Sequence, residues 1–429
     1  MAADRKAPRR YHRMARSETL PGAAKSAVAL GSGAGANPEL VTATAAPVVL
    51  VYRSQLLGPS ETFIQSQAAF MEKFRAFFVG RSRVPGIELP ADSLWVANQG
   101  GRFGKLQDMR FRILGPGAEC RSRLRALKPR IVHGHFAPDS CEAIPLASGL
   151  HIPLIVTFHG FDATLTDAAL GQTRQGRRYL RGLPSLRQKT DLFLAVSEFI
   201  ARRAAVQRGI PAERIRVHYI GVDTEKFRPP VAQKRQQQVL FVGRLVEKKG
   251  CGFLIKAMEL VQRELPEAEL IVIGDGPLRQ ELENEGRRTL KKYRFMGVQK
   301  SAAVQSQMQE AALLCVPSVT ASDGDSEGLP IAVYEAQASG LPIAAFASAG
   351  IPEAITHGET GFLAPERDWK QLGQYLALLL KNAELRDRFS RAAREQIERK
   401  FNIRKQTATL ERIYEEVIED HARRIKSPA

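Results

Sequence analysis

The stretch PSVTASDGDSEGLPIAVYEA (317–336) sets two carboxylates, Glu327 and Glu335, seven intervening residues apart. Gly328, Leu329 and Pro330 follow the first. Gly328 permits close backbone approach, and Pro330 suits the first turn of a helix, where no free N–H is required. Glu327 is therefore expected in a loop at a helix N-terminus, with Glu335 one to two turns inside the helix, at about 1.5 Å rise per residue. Carboxylates so placed accept hydrogen bonds from vicinal hydroxyls, as a sugar or ribose offers, while the helix N-terminal amides face an anion. From spacing alone, an ordinary surface position for Glu335 is an equal reading.

Upstream, VGRLVEKKG (242–250) places Arg244 and Lys249 just beyond a strand end. A guanidinium fork and an ammonium point charge suit a diphosphate, although basic residues after strands are common. Asp323-Gly324-Asp325 is chemically able to hold Mg²⁺ or Mn²⁺. Its place beside Glu327, with Arg244 and Lys249 already available for diphosphate charge, favours a site without metal. In the first half, PSETFI (59–64) opens a helix: Ser60 is the expected cap, with Glu61 and Thr62 in the first turn facing a cleft or solvent. HGHF (133–136) and FHGFD (158–162) end two further strands. Histidines there are often polar residues at a cleft edge, and His133-x-His135 lacks the carboxylate or cysteine partner a metal pair needs.

The elements that must position these residues read as alternating strands and helices. Short β-branched apolar runs stand at 48–52, 76–80, 93–97, 130–134, 154–159, 192–196 and 215–220. Amphipathic segments such as 63–74 and 198–209 lie between them, which is the pattern of a parallel sheet. RPPVAQKRQQQ (228–238), polar and without apolar period, reads as a linker. The strand pattern restarts at 239–243, 269–274, 293–297, 312–317, 341–346 and 361–365. Two doubly wound α/β domains result, 47–228 and 239–402, joined by 229–238, with ligand at the carboxyl ends of the strands in the cleft between them. The chain is helical from about Asp368. In the final segment, 403–429, Leu410, Ile413, Val417 and Ile418 share a face that must pack on something, the first domain being the candidate.

SEGLPIAVYEAQASGLPIAA followed by GIPEAITHGETGFL (350–363) closely resembles the donor-binding signature of retaining nucleotide-sugar glycosyltransferases of family 4, which have the GT-B fold of two Rossmann-like domains facing across a cleft. The resemblance implies that Glu327 contacts hydroxyls of the transferred sugar and Glu335 the ribose hydroxyls. Arg244 and Lys249 match the family's Gly-Arg-Leu...Lys-Gly element and become diphosphate ligands and catalytic candidates. IGDGP (273–277) resembles its Gly-x-Gly-Pro turn, so Gly274 and Gly276 shape the nucleotide pocket alongside Gly328 and Leu329. SETFI, HGHF and FHGFD resemble the members that build bacterial exopolysaccharides of the colanic-acid type. There His159 matches the residue that approaches the donor sugar at the reaction centre; Ser60, Glu61, Thr62, His135 and Asp162 fall on the acceptor side. The segment 196–229 resembles the last unit of the first domain, with Gly221-Val222-Asp223 at the hinge.

The implied activity is retaining transfer of a sugar from a UDP- or GDP-sugar to a saccharide or polyprenyl-linked saccharide acceptor, with no metal or other cofactor. A nucleotide-sugar epimerase or hydrolase of the same shape is the nearest rival. Net charge raises another class: 63 Lys and Arg against 45 Asp and Glu leave +18 over 429 residues, which suggests nucleic acid or an anionic membrane. The charge is uneven, +4 in residues 1–46, +12 in 47–230 and +2 in 231–429. That division disfavours a nucleic-acid binder and favours a tail and first domain resting on an anionic leaflet. Residues 1–46, basic and almost without large apolar side chains, are expected to be a disordered tail. Four dispersed cysteines and no long apolar run suggest a reducing, cytoplasmic compartment, with the protein peripheral on the inner face of the membrane.

Overall fold

A computed structural model describes residues 46–230 and 235–426, of which 46–426 belong to one compact unit. The expected tail, linker residues 231–234 and the last three residues lie outside the described residues. The first half forms β1 (Val48–Tyr52), β2 (Gln55–Leu56), β3 (Arg75–Gly80), β4 (Ser82–Arg83), β5 (Leu94–Val96), β6 (Pro129–His135), β7 (Leu154–Phe158), β8 (Leu192–Ala195) and β9 (Ile215–Val217). Seven of these make a parallel sheet in the order β5-β3-β1-β6-β7-β8-β9, and β2 pairs with β4 apart from it. The second half forms β10 (Gln238–Val242), β11 (Glu269–Ile273), β12 (Tyr293–Gly297), β13 (Leu313–Val316), β14 (Ile343–Phe346) and β15 (Gly361–Ala364), parallel in the order β12-β11-β10-β13-β14-β15.

Central strands such as β1 and β7 are buried at every residue because helices cover both faces, which is why their sequences are continuous apolar runs. In each sheet the strand order reverses beside the first strand, between β1 and β6 and between β10 and β13. Loops diverge to opposite faces at these points and leave crevices at the strand ends, where ligands bind in doubly wound folds.

Three sequence expectations are changed by packing. The strand expected at 215–220 stops at Val217. Beyond it the chain pairs with the returning C-terminal segment, the Val222 amide donating to the Phe401 carbonyl (2.8 Å) and the Ile403 amide to that of Val222 (2.9 Å). The helix expected at 63–74 ends at Ala69. The next turn is taken by the carboxylate of Glu411, which accepts from the amides of Glu72, Lys73 and Phe74 at 2.9, 2.7 and 2.9 Å. Pro330 stands at the N-cap of the helix Ile331–Ala338, just outside its first turn.

The helix Ile403–Lys426 leaves the second sheet and packs on the first. Leu410, Ile413, Tyr414 and Val417 join Val49, Val51, Phe78 and Ile131 in one apolar cluster, with Ile418 against its edge. Burying each such side chain contributes roughly 1.5–3 kcal/mol, so this helix is part of the first lobe's core. Tyr414 also reaches inward, its hydroxyl 2.6 Å from Nδ1 of His133.

Candidate active site

The residues expected on the donor side gather at the β10/β13 crevice. Past β10 the chain makes a short turn, Glu247–Lys249, before the helix Cys251–Glu264. The long side chains of Lys248 and Lys249, consecutive in this turn, reach the same carboxylate. Nζ of Lys249 lies 3.1 Å from Oε2 of Glu327, and Nζ of Lys248 lies 3.7 Å from Oε1 of Glu327 and 3.0 Å from Oδ1 of Asp325. Glu327 is only 8% exposed. Burial pushes its carboxyl up, yet Lys249 and Lys248 outweigh this and hold it below its ordinary value. For Lys248 burial opposes the charge, and Glu327 and Asp325 more than restore it, so its pKa is raised. Asp323 turns into its own loop, accepting from the Asp325 amide at 2.9 Å.

Lys248 has no place in the sequence argument. The run EKKG names two adjacent lysines, and only the tight turn reveals that both ammoniums meet the same carboxylate. Arg244 is exposed and free of ion pairs among the described residues. Gly274 and Gly276 lie so close to the carbonyls of Gly243 and Leu245 that a Cβ at either would collide, which seats the 273–277 turn against the Arg244 loop. Leu329 is buried between the lobes' shared apolar residues. Glu335 stands in the second turn of its helix, partly buried, with no side-chain hydrogen bond among the described residues. Burial pushes its carboxyl up to about 7, partly offset by Lys226.

The first lobe meets this loop directly. A Cβ on Gly328 would collide with the His159 carbonyl oxygen, so the glycine allows the donor loop to rest on the end of β7. Ser197 Oγ donates to the Gly328 carbonyl at 3.0 Å, and the Ser326 amide donates to Thr164 Oγ1 at 3.2 Å. Glu353, within the GIPE segment, accepts from the amides of Glu198 and Phe199 at 2.8 and 2.9 Å, capping a helix of the opposite lobe. Ser197 and Glu353 thus fix the two lobes together, a role that no local pattern identifies.

His159 sits among Phe63, Phe136 and His135, with ring centroids 5.0, 4.4 and 5.3 Å away. Its Nε2 is 3.1 Å from Nδ1 of His135, and its Nδ1 is buried without a partner among the described residues. Burial, then Arg53 and His133, pushes this imidazole well below its ordinary value, so it is neutral near pH 7. A neutral ring with one nitrogen unpaired is able to exchange a hydrogen bond with a ligand hydroxyl.

Three of the five residues expected on the acceptor side face inward. His135 is buried beneath His159 as its hydrogen-bond partner. Asp162 is fully buried, and its carboxylate accepts from the amides of His159, Gly160 and Ala137 at 3.1, 2.9 and 3.1 Å, tying the β6 and β7 loops together. Glu61 is held by Arg53 and by the Gly58 amide at 3.1 Å. Ser60 and Thr62 are exposed; the helix starts at Thr62 with Glu61 at the cap position, so Ser60 does not cap it. Arg53, which follows β1, joins Glu61 to Asp139 and lies 4.4 Å over the Phe136 ring.

Residues 77–226 match the model for Glycosyltransferase Family 4, and 222–396 match that for glycosyl transferases group 1. The chain is 32% identical over 297 residues to WcaL of Escherichia coli, a glycosyltransferase assigned to colanic acid biosynthesis, covering 66% of this chain and 70% of that one. It is 31% identical over 276 residues to the amylovoran biosynthesis glycosyltransferase AmsK of Erwinia amylovora, covering 63% and 66%. Among solved structures, Anabaena HepE in complex with UDP superposes with a TM-score of 0.67 at 17% identity, over 86% of this chain and all of that one. The two facing parallel-sheet lobes are the GT-B fold, and the chain belongs to the family 4, group 1 glycosyltransferases.

Proposed function

We propose that the protein transfers a sugar, with retention of configuration, from a UDP- or GDP-sugar to a saccharide acceptor carried on a polyprenyl lipid, in the synthesis of an exopolysaccharide. The carrying observation is the meeting of Glu327, Lys248 and Lys249 with the Gly328–His159 contact, while Glu335, in the helix that follows, has no ion pair among the described residues. Glu327 orients hydroxyls of the sugar, and Glu335 accepts from the ribose hydroxyls. Arg244 and Lys249 meet the charge of the diphosphate, so the residues present can serve without a metal. Exopolysaccharide synthesis is the assignment of the WcaL and AmsK relatives.

The reaction breaks the bond between the anomeric carbon and the diphosphate oxygen and forms one to the acceptor oxygen. Glu327 is engaged by two lysines and Asp162 by three amides, so neither is poised as a covalent nucleophile. Attack therefore comes from the face the diphosphate leaves, and the acceptor proton passes to the departing phosphate oxygen. Arg244 and Lys249 stabilise the charge that develops there. His159 holds a sugar hydroxyl through its unpaired nitrogen.

The reading includes binding to the cytoplasmic face of a membrane; its membrane contact, though not the face, is supported by the helix Gly104–Leu114. Phe103, Leu106, Met109 and Ile113 are 45–69% exposed and recur at helical spacing, flanked by exposed Arg102, Lys105, Arg110 and Arg112. No helix among the described residues is long and apolar enough to cross a membrane. Thermal unfolding with UDP, GDP and ADP tests the donor assignment, because a specific ligand raises the midpoint as its concentration exceeds its dissociation constant. Stabilisation by none of them would overturn it. The anomeric configuration of the product, read by NMR, tests retention.

A further inference from the structure

The first lobe holds a cavity of about 360 Å³ that the donor site does not use. It opens at the carboxyl ends of β1, β3 and β6, across that lobe's own strand-order reversal. Arg53, Arg81, Arg112, Arg174 and Arg178 line it with Asp139 and Glu142, and Glu61 and Asp108 pair with Arg53 and Arg81 from behind, so five guanidinium groups face four carboxylates. The five arginines are of two kinds. Arg53 and Arg81 form a fixed floor: Arg53 is gripped by Glu61 and Asp139, and Arg81 by Asp108 and Glu142, each at 2.7 Å. Arg112, Arg174 and Arg178 form an exposed rim. Arg112 and Arg174 make no ion pair among the described residues, and Arg178 makes one only at 3.8 Å, to Glu142.

The two floor guanidinium groups are each engaged by two carboxylates, so the free positive charge is that of the three rim arginines, whose uncommitted planar forks suit an anion with several oxygens. Residues 174, 175 and 178 come from the first turns of the helix Arg174–Lys189, whose N-terminal dipole adds to the same field. We infer that this cavity binds a phosphoryl group, phosphate or diphosphate, belonging to the acceptor. The inference rests on the glycosyl-transfer reading. Arg53 and Phe161 line the cavity and also belong to the ring cluster at His159: Arg53 covers Phe136, and Phe136 stacks on Phe161 and packs at a tilt against His159. A phosphoryl group held here anchors the acceptor next to the reaction centre. Arg112 lies on the helix with the exposed apolar stripe, immediately before Ile113, so a membrane-borne phosphate has a short path into the rim.

The test compares three full-length proteins: the parent, the rim variant Arg112→Gln/Arg174→Gln/Arg178→Gln, and the donor-site variant Arg244→Ala/Lys249→Ala. Inorganic pyrophosphate binding is measured by calorimetry. The donor-site variant is expected to retain a pyrophosphate site, and in the rim variant that site weakens by roughly tenfold or more, as loss of charge-assisted hydrogen bonds requires. Equal affinity in the rim variant, or disappearance of all binding in the donor-site variant, overturns the inference. A second arm compares flotation with phosphatidylcholine vesicles with and without polyprenyl phosphate. Preference for the phosphorylated vesicles that the rim variant loses identifies the lipid as the source; pyrophosphate binding without that preference supports the site with a soluble phosphoryl source. Nucleotide stabilisation should be the same in the parent and the rim variant. Its absence from both would sink the glycosyl-transfer reading independently of the pyrophosphate result.

Discussion

The ammonium of Lys249 lies 3.1 Å from the carboxylate of Glu327, joining a residue suited to a diphosphate to one suited to a sugar hydroxyl. Lys248 approaches the same carboxylate from the other side, at 3.7 Å. The proposed donor site is therefore one coupled charge cluster, in which the position of the Glu327 carboxylate depends on both lysines.

Lys248 is a positioning residue on this geometry. Lys248→Met should leave Asp325 without its cation and allow Glu327 to shift, raising KM for the donor by about tenfold, the scale of one lost charged hydrogen bond. Lys248→Arg should recover part of the loss. Steady-state kinetics at varied donor concentration checks both; an unchanged donor KM in Lys248→Met contradicts the positioning role.

Arg244 carries no structural duty among the described residues, being exposed and unpaired. Arg244→Ala should lower kcat by about 10²-fold, as removal of a donor to developing charge does, with the unfolding midpoint unchanged. Near-normal turnover would remove Arg244 from the leaving-group site.

Burial pushes the Glu335 carboxyl up to about 7. Only the ionised form has both oxygens free to accept from a ribose, so kcat/KM for the donor should rise as pH increases through about 7, and this step should vanish in Glu335→Gln. Stability runs the opposite way. With the folded pKa above the unfolded one, the group's stabilising contribution is full below about 4.5 and is lost as pH rises through about 7. Glu335→Gln should therefore unfold at higher urea relative to the parent on the alkaline side. A parent whose pH profile is flat across this window refutes the assignment.

The C-terminal helix belongs to the first lobe's core, so changes there should act on stability. Leu410 is fully buried against β-strand residues, and Leu410→Ala should cost about 2–5 kcal/mol in urea unfolding. A cost below about 0.5 kcal/mol, typical of a surface site, would mean that the helix is not docked.

The apolar stripe offers a direct membrane test. Leu106→Asp/Ile113→Asp should reduce sedimentation with anionic liposomes while leaving the unfolding midpoint unchanged, because both side chains are already exposed. Undiminished sedimentation would assign membrane binding to another surface.

Sequence alone determined the alternation of strands and helices and the division into two sheets, and it singled out Glu327, Glu335, Arg244 and Lys249 as the donor-site candidates. Each is written locally: a buried parallel strand needs a continuous apolar run, and a donor loop at a helix start has fixed spacing. What tertiary structure decided depends on partners hundreds of residues away. Glu411 ends a helix at Ala69 by taking the amides of 72–74, and Glu353 caps a helix in the other lobe. Glu61, His135 and Asp162 look like ligand residues in a linear reading because polar side chains after strands often face a cleft. Folding buries them, and a buried polar group must find hydrogen bonds, so they hold Arg53, His159 and three backbone amides in place. The arginine cavity shows the same dependence. Its five residues span positions 53 to 178, and only the convergence of three strand ends and two helices makes them one site.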